Sequence, residues 1–148
     1  MPRLNIEKAL KYIRKDLDKH FSKISFEYEV DDDADIPMSS ATADISINGL
    51  HDNIRVIVRA YEDGDVYFRA VFDKIKKTPE AYELANDFNE CNAFFTAFLR
   101  EDGFFELRHY FVCYEIDMLE EYASDFLSNL VDLSEDEKLC RLAELAQR

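Results

Sequence analysis

Glycine is scarce in this sequence of 148 residues, which contains only three. Gly49, Gly64 and Gly103 each lie in a short polar stretch that is typical of a turn. No glycine is left for a phosphate-cradling loop, a nucleophile elbow or a dinucleotide fingerprint. All of these need glycine where the backbone approaches a ligand or adopts strained geometry. The composition therefore disfavours nucleotide-binding folds, and we expect no enzymatic activity and no cofactor.

Long apolar runs are missing as well. No stretch approaches the roughly 20 residues that span a bilayer, and the first residues, MPRLNIEKALKYIRK, lack the unbroken apolar stretch of a signal peptide. We expect a cytoplasmic protein. The length and the hydrophobic content of 47% suit one domain over residues 1–148 with a sizeable core.

Cysteine and histidine are too few and too scattered to predict a catalytic or metal site. The three cysteines, Cys91, Cys113 and Cys140, lack paired metal-ligand spacing, and each lies in a patterned segment where a buried thiol packs like a small hydrophobe. His109 and Cys113 share a strand face but lie roughly 13 Å apart, too far for a nucleophile and its base. A dyad of Cys91 with His109 has no support in the sequence. We interpret the cysteines as structural.

The acidic segment Asp31–Ser40 resembles a calcium loop only at its start. Asp31, Asp33 and Asp35 have the required spacing, but Ile36 stands in the place of the turn glycine and Thr42 in that of the bidentate glutamate. We therefore predict a solvated loop and no metal.

Charge is unevenly distributed along the chain, whose formal net charge is −14. Residues 1–23 carry seven basic and three acidic side chains, and residues 101–148 carry four and thirteen. A field of this sign repels phosphate backbones and anionic membranes, so we expect neither nucleic acid nor a membrane as a partner. The basic first helix is interpreted as a solvated face.

Hydrophobic periodicity predicts an α+β fold with an antiparallel twisted sheet and helices packed on it, in the order α-β-β-β-β-α-β-β-α-α. Helical spacing covers about residues 4–22, 79–92 and 118–130 and a last helix after a capping-box pattern, Ser134 with Glu137. Alternation predicts strands at about residues 24–30, 41–48, 54–60, 66–72, 94–100 and 105–114. Acidic residues between 115 and 121 suit the N-terminus of the third helix.

The segment from Thr78 to Cys113 is the most informative. Thr78 suits a helix cap, Pro79 the first helical position and Glu80 the positive end of the dipole. Ala81, Ala85, Phe88 and Cys91, beside Leu84 and Asn92, make one apolar stripe, and we expect that stripe to be buried. Asn89 and Asn92 lie where amide side chains bond free backbone groups.

The order of elements, with the helix text YELANDFNECNAF before a hairpin, resembles the YbjN domain family, which is similar in turn to type III secretion chaperones. The resemblance covers most of the chain and implies a fold more than a function. It implies a small acidic α+β homodimer that binds protein segments along its sheet and helix surfaces, with a role in regulation or stress responses. An apparent extra strand before the central helix and an extended C-terminal helix pair depart from the family pattern.

Large apolar side chains on both faces of the strands predict where a partner would dock. Phe105, Leu107, Phe111 and Cys113 point one way, and we expect helices to cover them. The opposite side chains would leave an apolar patch unless a partner or a second copy covers it. This predicted partner or dimer surface consists of Ile57, Tyr67, Val71, Tyr110, Val112 and Tyr114.

The sequence is also compatible with a second class of function, the binding of a small molecule. A small-molecule binder would have a pocket between the central helix and the sheet, and Tyr82, Phe88 and Phe98 are the candidate lining residues. A deep enclosed pocket with convergent polar groups favours this alternative, whereas a shallow apolar surface favours an adaptor that binds protein.

Overall fold

The computed structural model describes residues 3–146, which form an α+β fold with a six-stranded antiparallel sheet and four α-helices. The predicted fold class and order of elements are confirmed. The helices are α1 (Ile6–His20), α2 (Pro79–Cys91), α3 (Tyr122–Asp132) and α4 (Glu137–Ala146), with short 3₁₀ helices at Ile116–Leu119 and Leu133–Glu135. The strands are β1 (Glu27–Asp31), β2 (Met38–Ile47), β3 (His51–Tyr61), β4 (Asp65–Lys74), β5 (Thr96–Leu99) and β6 (Phe104–Val112).

The strands follow the order β1-β2-β3-β4-β6-β5 across the sheet. The first four are joined in sequence, because each is followed by a short turn that returns the chain beside it. β6 then lies next to β4, and β5 forms an edge after it. The β5–β6 pairing is antiparallel and places Phe98 opposite Glu106.

The chain groups into two compact units. The first unit contains the chain up to Ala43, together with Ile57–Phe68 and Tyr110–Ser128. The second contains Asp44–Val56, Arg69–His109 and the chain from Asn129 onward. The prediction of one domain over residues 1–148 stays a prediction.

The core of the first unit forms between helices and one side of its strand segments. Asn5 accepts a hydrogen bond from the Lys8 amide at 3.0 Å and starts α1, whose apolar stripe is buried. The ring of Phe68 stacks on Phe126 of α3 and meets Tyr122 edge-on. The residues of this core include Ala9, Ile13, Leu17, Val58, Ala60, Val66, Phe68, Leu119, Ala123, Phe126 and Leu127, all buried.

The core of the second unit is built around α2. The Thr78 hydroxyl accepts a hydrogen bond from the Ala81 amide at 3.2 Å, and Pro79 is the first helical residue, so the predicted start is confirmed. α2 packs against α4 and β5. The buried side chains include Ile54, Val56, Ala70, Phe72, Ala81, Ala85, Phe88, Ala97, Phe105, Leu107, Leu139, Leu142 and Ala143.

Three predictions about α2, α3 and α4 are wrong. Cys91 is exposed, because it lies in the last turn of α2 beyond the buried stripe. α3 begins at Tyr122, since the chain from Ile116 to Leu119 makes a 3₁₀ turn first. The cap of α4 is Asp136, whose carboxylate accepts a hydrogen bond from the Leu139 amide at 2.9 Å. Ser134 lies instead in a 3₁₀ helix.

The predicted boundaries of the acidic loop and of two strands also need correction. β1 includes Asp31, which pairs with Met38 of β2, so the loop is shorter than predicted. The Asp31 carboxylate accepts hydrogen bonds from the amides of Asp33 and Ala34, both at 3.1 Å, and closes the turn. β5 begins only at Thr96, because the Asn92 side chain accepts hydrogen bonds from the two amides before it.

Candidate functional site: the exposed strand faces

Side chains alternate along the strands of the first unit between a buried side and an accessible side. Val58 and Ala60 are buried in β3, and Val66 and Phe68 in β4. Because successive side chains of a strand point to opposite faces, their neighbours form a second face, which is half-buried or exposed. We call this face the tyrosine surface; it consists of Ile57, Tyr61, Tyr67, Tyr110 and Val112.

The tyrosines of this surface contact one another. The rings of Tyr67 and Tyr110 lie 4.9 Å apart, and those of Tyr61 and Tyr67 lie 5.9 Å apart edge-on. The Tyr110 hydroxyl donates a hydrogen bond of 2.9 Å to Asp65, and this bond raises the pKa of Tyr110. Tyr110 is nevertheless 48% exposed. Tyrosine combines a large apolar ring with a polar tip, which suits a surface that is wet until a partner covers it.

Two predicted surface residues lie outside this cluster. Tyr114 follows β6 and is the most exposed of them, at 69%. Val71 belongs to the second unit and is half-buried on β4. Its neighbours in sequence, Ala70 and Phe72, are buried and point to the opposite face.

The accessible strand face of the second unit carries arginines around one buried carboxylate. Glu106 is 0% exposed, although its neighbours on this face are accessible, because guanidinium groups lie across it. Arg69 binds it through two hydrogen bonds of 2.7 and 3.4 Å, Arg108 binds at 2.8 Å, and Arg100 lies 3.9 Å away. We call this face the arginine surface; it consists of Arg69, Phe98, Arg100, Glu106 and Arg108.

An open cleft of about 530 Å³ adjoins the arginine surface, and Phe98 with Leu99, Glu101 and Asp102 lines it beside two of the arginines. The Arg108 guanidinium lies 4.5 Å from the Phe98 ring centroid, within the range of a cation–π contact. Asp102 pairs with Arg100 at 2.6 Å. Aromatic rings and arginines are enriched at protein interfaces. No local sequence pattern predicts this cluster, because its members come together only through strand pairing and the position of Arg69.

The candidate pocket residues Tyr82, Phe88 and Phe98 occupy different environments within the second unit. Phe88 is 1% exposed in the core, whereas Tyr82 and Phe98 are exposed. Only Phe98 of the three lines the cleft described above.

His109 and two of the three cysteines, Cys113 and Cys140, are buried or half-buried. His109 stacks on the Phe94 ring at 4.3 Å, and its Nδ1 lies 2.8 Å from the Phe94 carbonyl. Burial raises the pKa of the Cys113 thiol and of the Cys140 thiol, which opposes their reactivity. Within residues 3–146, no group of three or more His, Cys, Asp or Glu side chains is arranged to hold a metal ion.

No helix in the part of the chain that the structure describes has the length and apolar character needed to cross a membrane.

The match to a known family covers most of this architecture. The model of the YbjN family, described as "Putative bacterial sensory transduction regulator", matches residues 14–136. The match therefore spans all six strands, α2 and α3, and the chain belongs to the YbjN family. The resemblance predicted from the sequence is confirmed. Neither the curated proteins nor the solved structures contain a significant match.

The family description fits a regulatory or binding role and names no reaction. The match ends at residue 136, and α4 begins at Glu137. α4 therefore lies beyond the family match, and it packs on α2.

Proposed function

We propose that this protein is a non-enzymatic regulatory adaptor of the cytoplasm, chaperone-like in that it binds a protein segment along an accessible strand face, and that it assembles as a homodimer. The observation that carries the proposal is the tyrosine surface of the first unit. Large rings and aliphatic groups are clustered there at accessible positions, and such clusters mark protein interaction sites. The three free thiols suit a reducing compartment.

The homodimer is tested by sedimentation. Analytical ultracentrifugation at tens of micromolar is expected to show a dimer, and a monomer at that concentration would remove the dimer from the proposal. Tyr110→Asp and Val112→Asp place a charge on the tyrosine surface and are expected to weaken assembly while the far-UV circular dichroism stays that of the folded protein. If either change unfolds the chain, these side chains belong to the core and the surface assignment is wrong.

The protein partner is tested by capture from native lysate with the wild-type chain and with Tyr110→Phe and Tyr110→Asp as matched baits. Phenylalanine keeps the ring and is expected to keep the partner, whereas aspartate is expected to release it. A set of captured proteins that is the same with all three baits would contradict docking on the tyrosine surface.

The alternative function, a small-molecule pocket between α2 and the sheet, has less support. Tyr82 and Phe98 are open to solvent, and Phe88 packs in the core. A pocket that holds a ligand needs enclosed space with convergent polar groups, and the cleft beside Phe98 is open.

A further inference from the structure

A small cavity of about 120 Å³ lies in the first unit. None of its lining residues belongs to the tyrosine surface, and neither the family description nor the proposed function gives this cavity a role. The second half of α1 forms one side of it, and the turn before α3 forms the other. Its lining residues are Tyr12, Lys15, Asp16, Lys19, His20, Glu120 and Glu121.

Asp16 is the buried charged group of this cavity. Its side chain is 3% exposed, although the other charged residues of the lining are exposed. One carboxylate oxygen, Oδ2, accepts a hydrogen bond of 2.8 Å from the Ser124 amide in the first turn of α3. Asp16 therefore caps a helix 108 residues further along the chain, satisfying one of the amides that the first turn leaves free.

The second oxygen of Asp16, Oδ1, is buried and accepts no hydrogen bond within the protein. The His20 Nε2 atom lies 3.8 Å from Oδ1, a distance too long for a hydrogen bond. A buried carboxylate oxygen without a donor is costly. Because Asp16 lines the cavity, a ligand that enters can supply the missing donor.

The lining predicts the chemistry of that ligand. Asp16, Glu120 and Glu121 favour a cationic donor, and an ammonium group gives three N–H bonds to share among carboxylates. Lys15 and Lys19 line the same cavity and favour an anionic group on the same ligand. The volume is roughly ten times what one water requires, which suits a molecule of a few heavy atoms.

We propose that this cavity binds a small α-amino acid, with its ammonium group on Asp16 and its carboxylate on the Lys15 and Lys19 side. A zwitterion matches a lining that carries both signs of charge, whereas a simple amine or a simple carboxylate satisfies only one of them. The proposal is independent of the adaptor function, since it rests on residues that the tyrosine surface does not contain.

The test uses three probes of similar size with the full chain. L-Alanine carries both charged groups, ethylammonium lacks the carboxylate, and propionate lacks the ammonium. Each is titrated at constant pH and ionic strength while the Ser124 amide, which reports on Asp16, is followed by ¹H–¹⁵N NMR. We expect saturable shifts with L-alanine, binding at least about tenfold weaker with ethylammonium, and none with propionate.

Variants locate the site. Asp16→Asn keeps an oxygen for the Ser124 amide but removes the charge, and it is expected to weaken L-alanine at least about tenfold. Asp18→Asn, an exposed change on the same helix, is the matched control and is expected to bind as the wild type does. Lys15→Gln with Lys19→Gln alters only exposed positions, so it keeps the test valid if Asp16→Asn fails to fold. The double variant should weaken L-alanine about tenfold, to the level of ethylammonium, and should not weaken ethylammonium, because it removes only positive charges.

Three results would overturn the proposal. L-Alanine that produces no saturable shift up to about 10 mM shows that the cavity holds only solvent. Equal binding of L-alanine and ethylammonium shows that the lysines do not contribute. Binding that persists in folded Asp16→Asn shows that the ligand lies elsewhere.

Discussion

The tyrosine surface of the first unit and the arginine surface of the second occupy the same kind of position, the accessible side of strands whose other side is buried. They are built from different chemistry. On the tyrosine surface, rings contact one another and one hydroxyl reaches a carboxylate, Asp65. On the arginine surface, three guanidinium groups surround a carboxylate that they remove entirely from solvent.

This difference separates a surface available for binding from a surface already engaged. Tyr110 is exposed, and Tyr61 and Tyr67 are half-buried, so a partner can add to their ring contacts. On the arginine surface the three arginines pair with Glu106 and bury its carboxylate, so a change there acts first on stability. We therefore expect substitutions on the arginine surface to affect folding and those on the tyrosine surface to affect assembly.

Glu106→Gln is expected to give the largest effect. It removes the charge that three arginines share and leaves like charges beside one another, so we expect a loss of about 3 kcal/mol in the free energy of unfolding, measured by urea denaturation. Asp44→Asn is the matched control, because the Asp44–Arg55 pair is exposed on both sides and should cost under about 1 kcal/mol. Equal costs for the two variants would break the distinction between an engaged network and ordinary surface pairs.

Asn89→Ala tests another pair of hydrogen bonds in the second unit. The Asn89 side chain accepts a hydrogen bond of 2.7 Å from the Ala97 amide and donates one of 3.2 Å to the Ala97 carbonyl, as a neighbouring strand would. It thus pairs with β5 at the edge of the sheet. Its loss should cost about 1–2 kcal/mol and speed hydrogen exchange at the Ala97 amide. Unchanged exchange there would contradict this role.

The order of elements was predictable because it depends on local periodicity. Thr78 and Pro79 marked the start of α2 correctly, since capping needs only neighbours in the chain. Some errors have local causes, such as Asp136 taking the capping position instead of Ser134, whereas the start of α3 depends on a distant group. α3 begins at Tyr122 and receives its capping carboxylate from Asp16, which no local pattern near residue 122 reveals.

The candidate surfaces were predictable only in part, for the same reason. Alternation placed Tyr67 and Tyr110 on the accessible face, but their contact depends on β6 lying beside β4, which is a property of topology. The burial of Glu106 was not foreseen, because a lone glutamate in a strand reads as exposed. Its partners come from separate parts of the chain, Arg69 lying 37 residues earlier.

Tyr28→Phe tests a tyrosine of the first unit that lies outside the tyrosine surface. Burial, together with the nearby charge of Asp18, raises the pKa of Tyr28 to about 12 from an ordinary value of 10.0. The folded state therefore holds the phenol proton over a pH range in which the unfolded chain releases it. The free energy of unfolding should fall as pH rises from about 10 to about 12. In urea denaturation, the free energy of unfolding of the variant should decrease less over this pH range than that of the wild type. An identical pH profile would contradict the assignment of this decrease to Tyr28.

Asp65→Ala gives the smallest expected effect and tests how loosely the tyrosine surface is held. The hydrogen bond to Asp65 is the main cause of the raised pKa of Tyr110, with burial second. Its removal should lower that pKa toward the ordinary value of 10.0, as followed by NMR of the labelled ring. Asp63→Ala is the matched control, because Asp63 contributes least to the shift. Since Tyr110 lies at the surface, stability should hardly change, in contrast to Glu106→Gln; a comparable loss of stability in both variants would mean that the two surfaces are engaged alike.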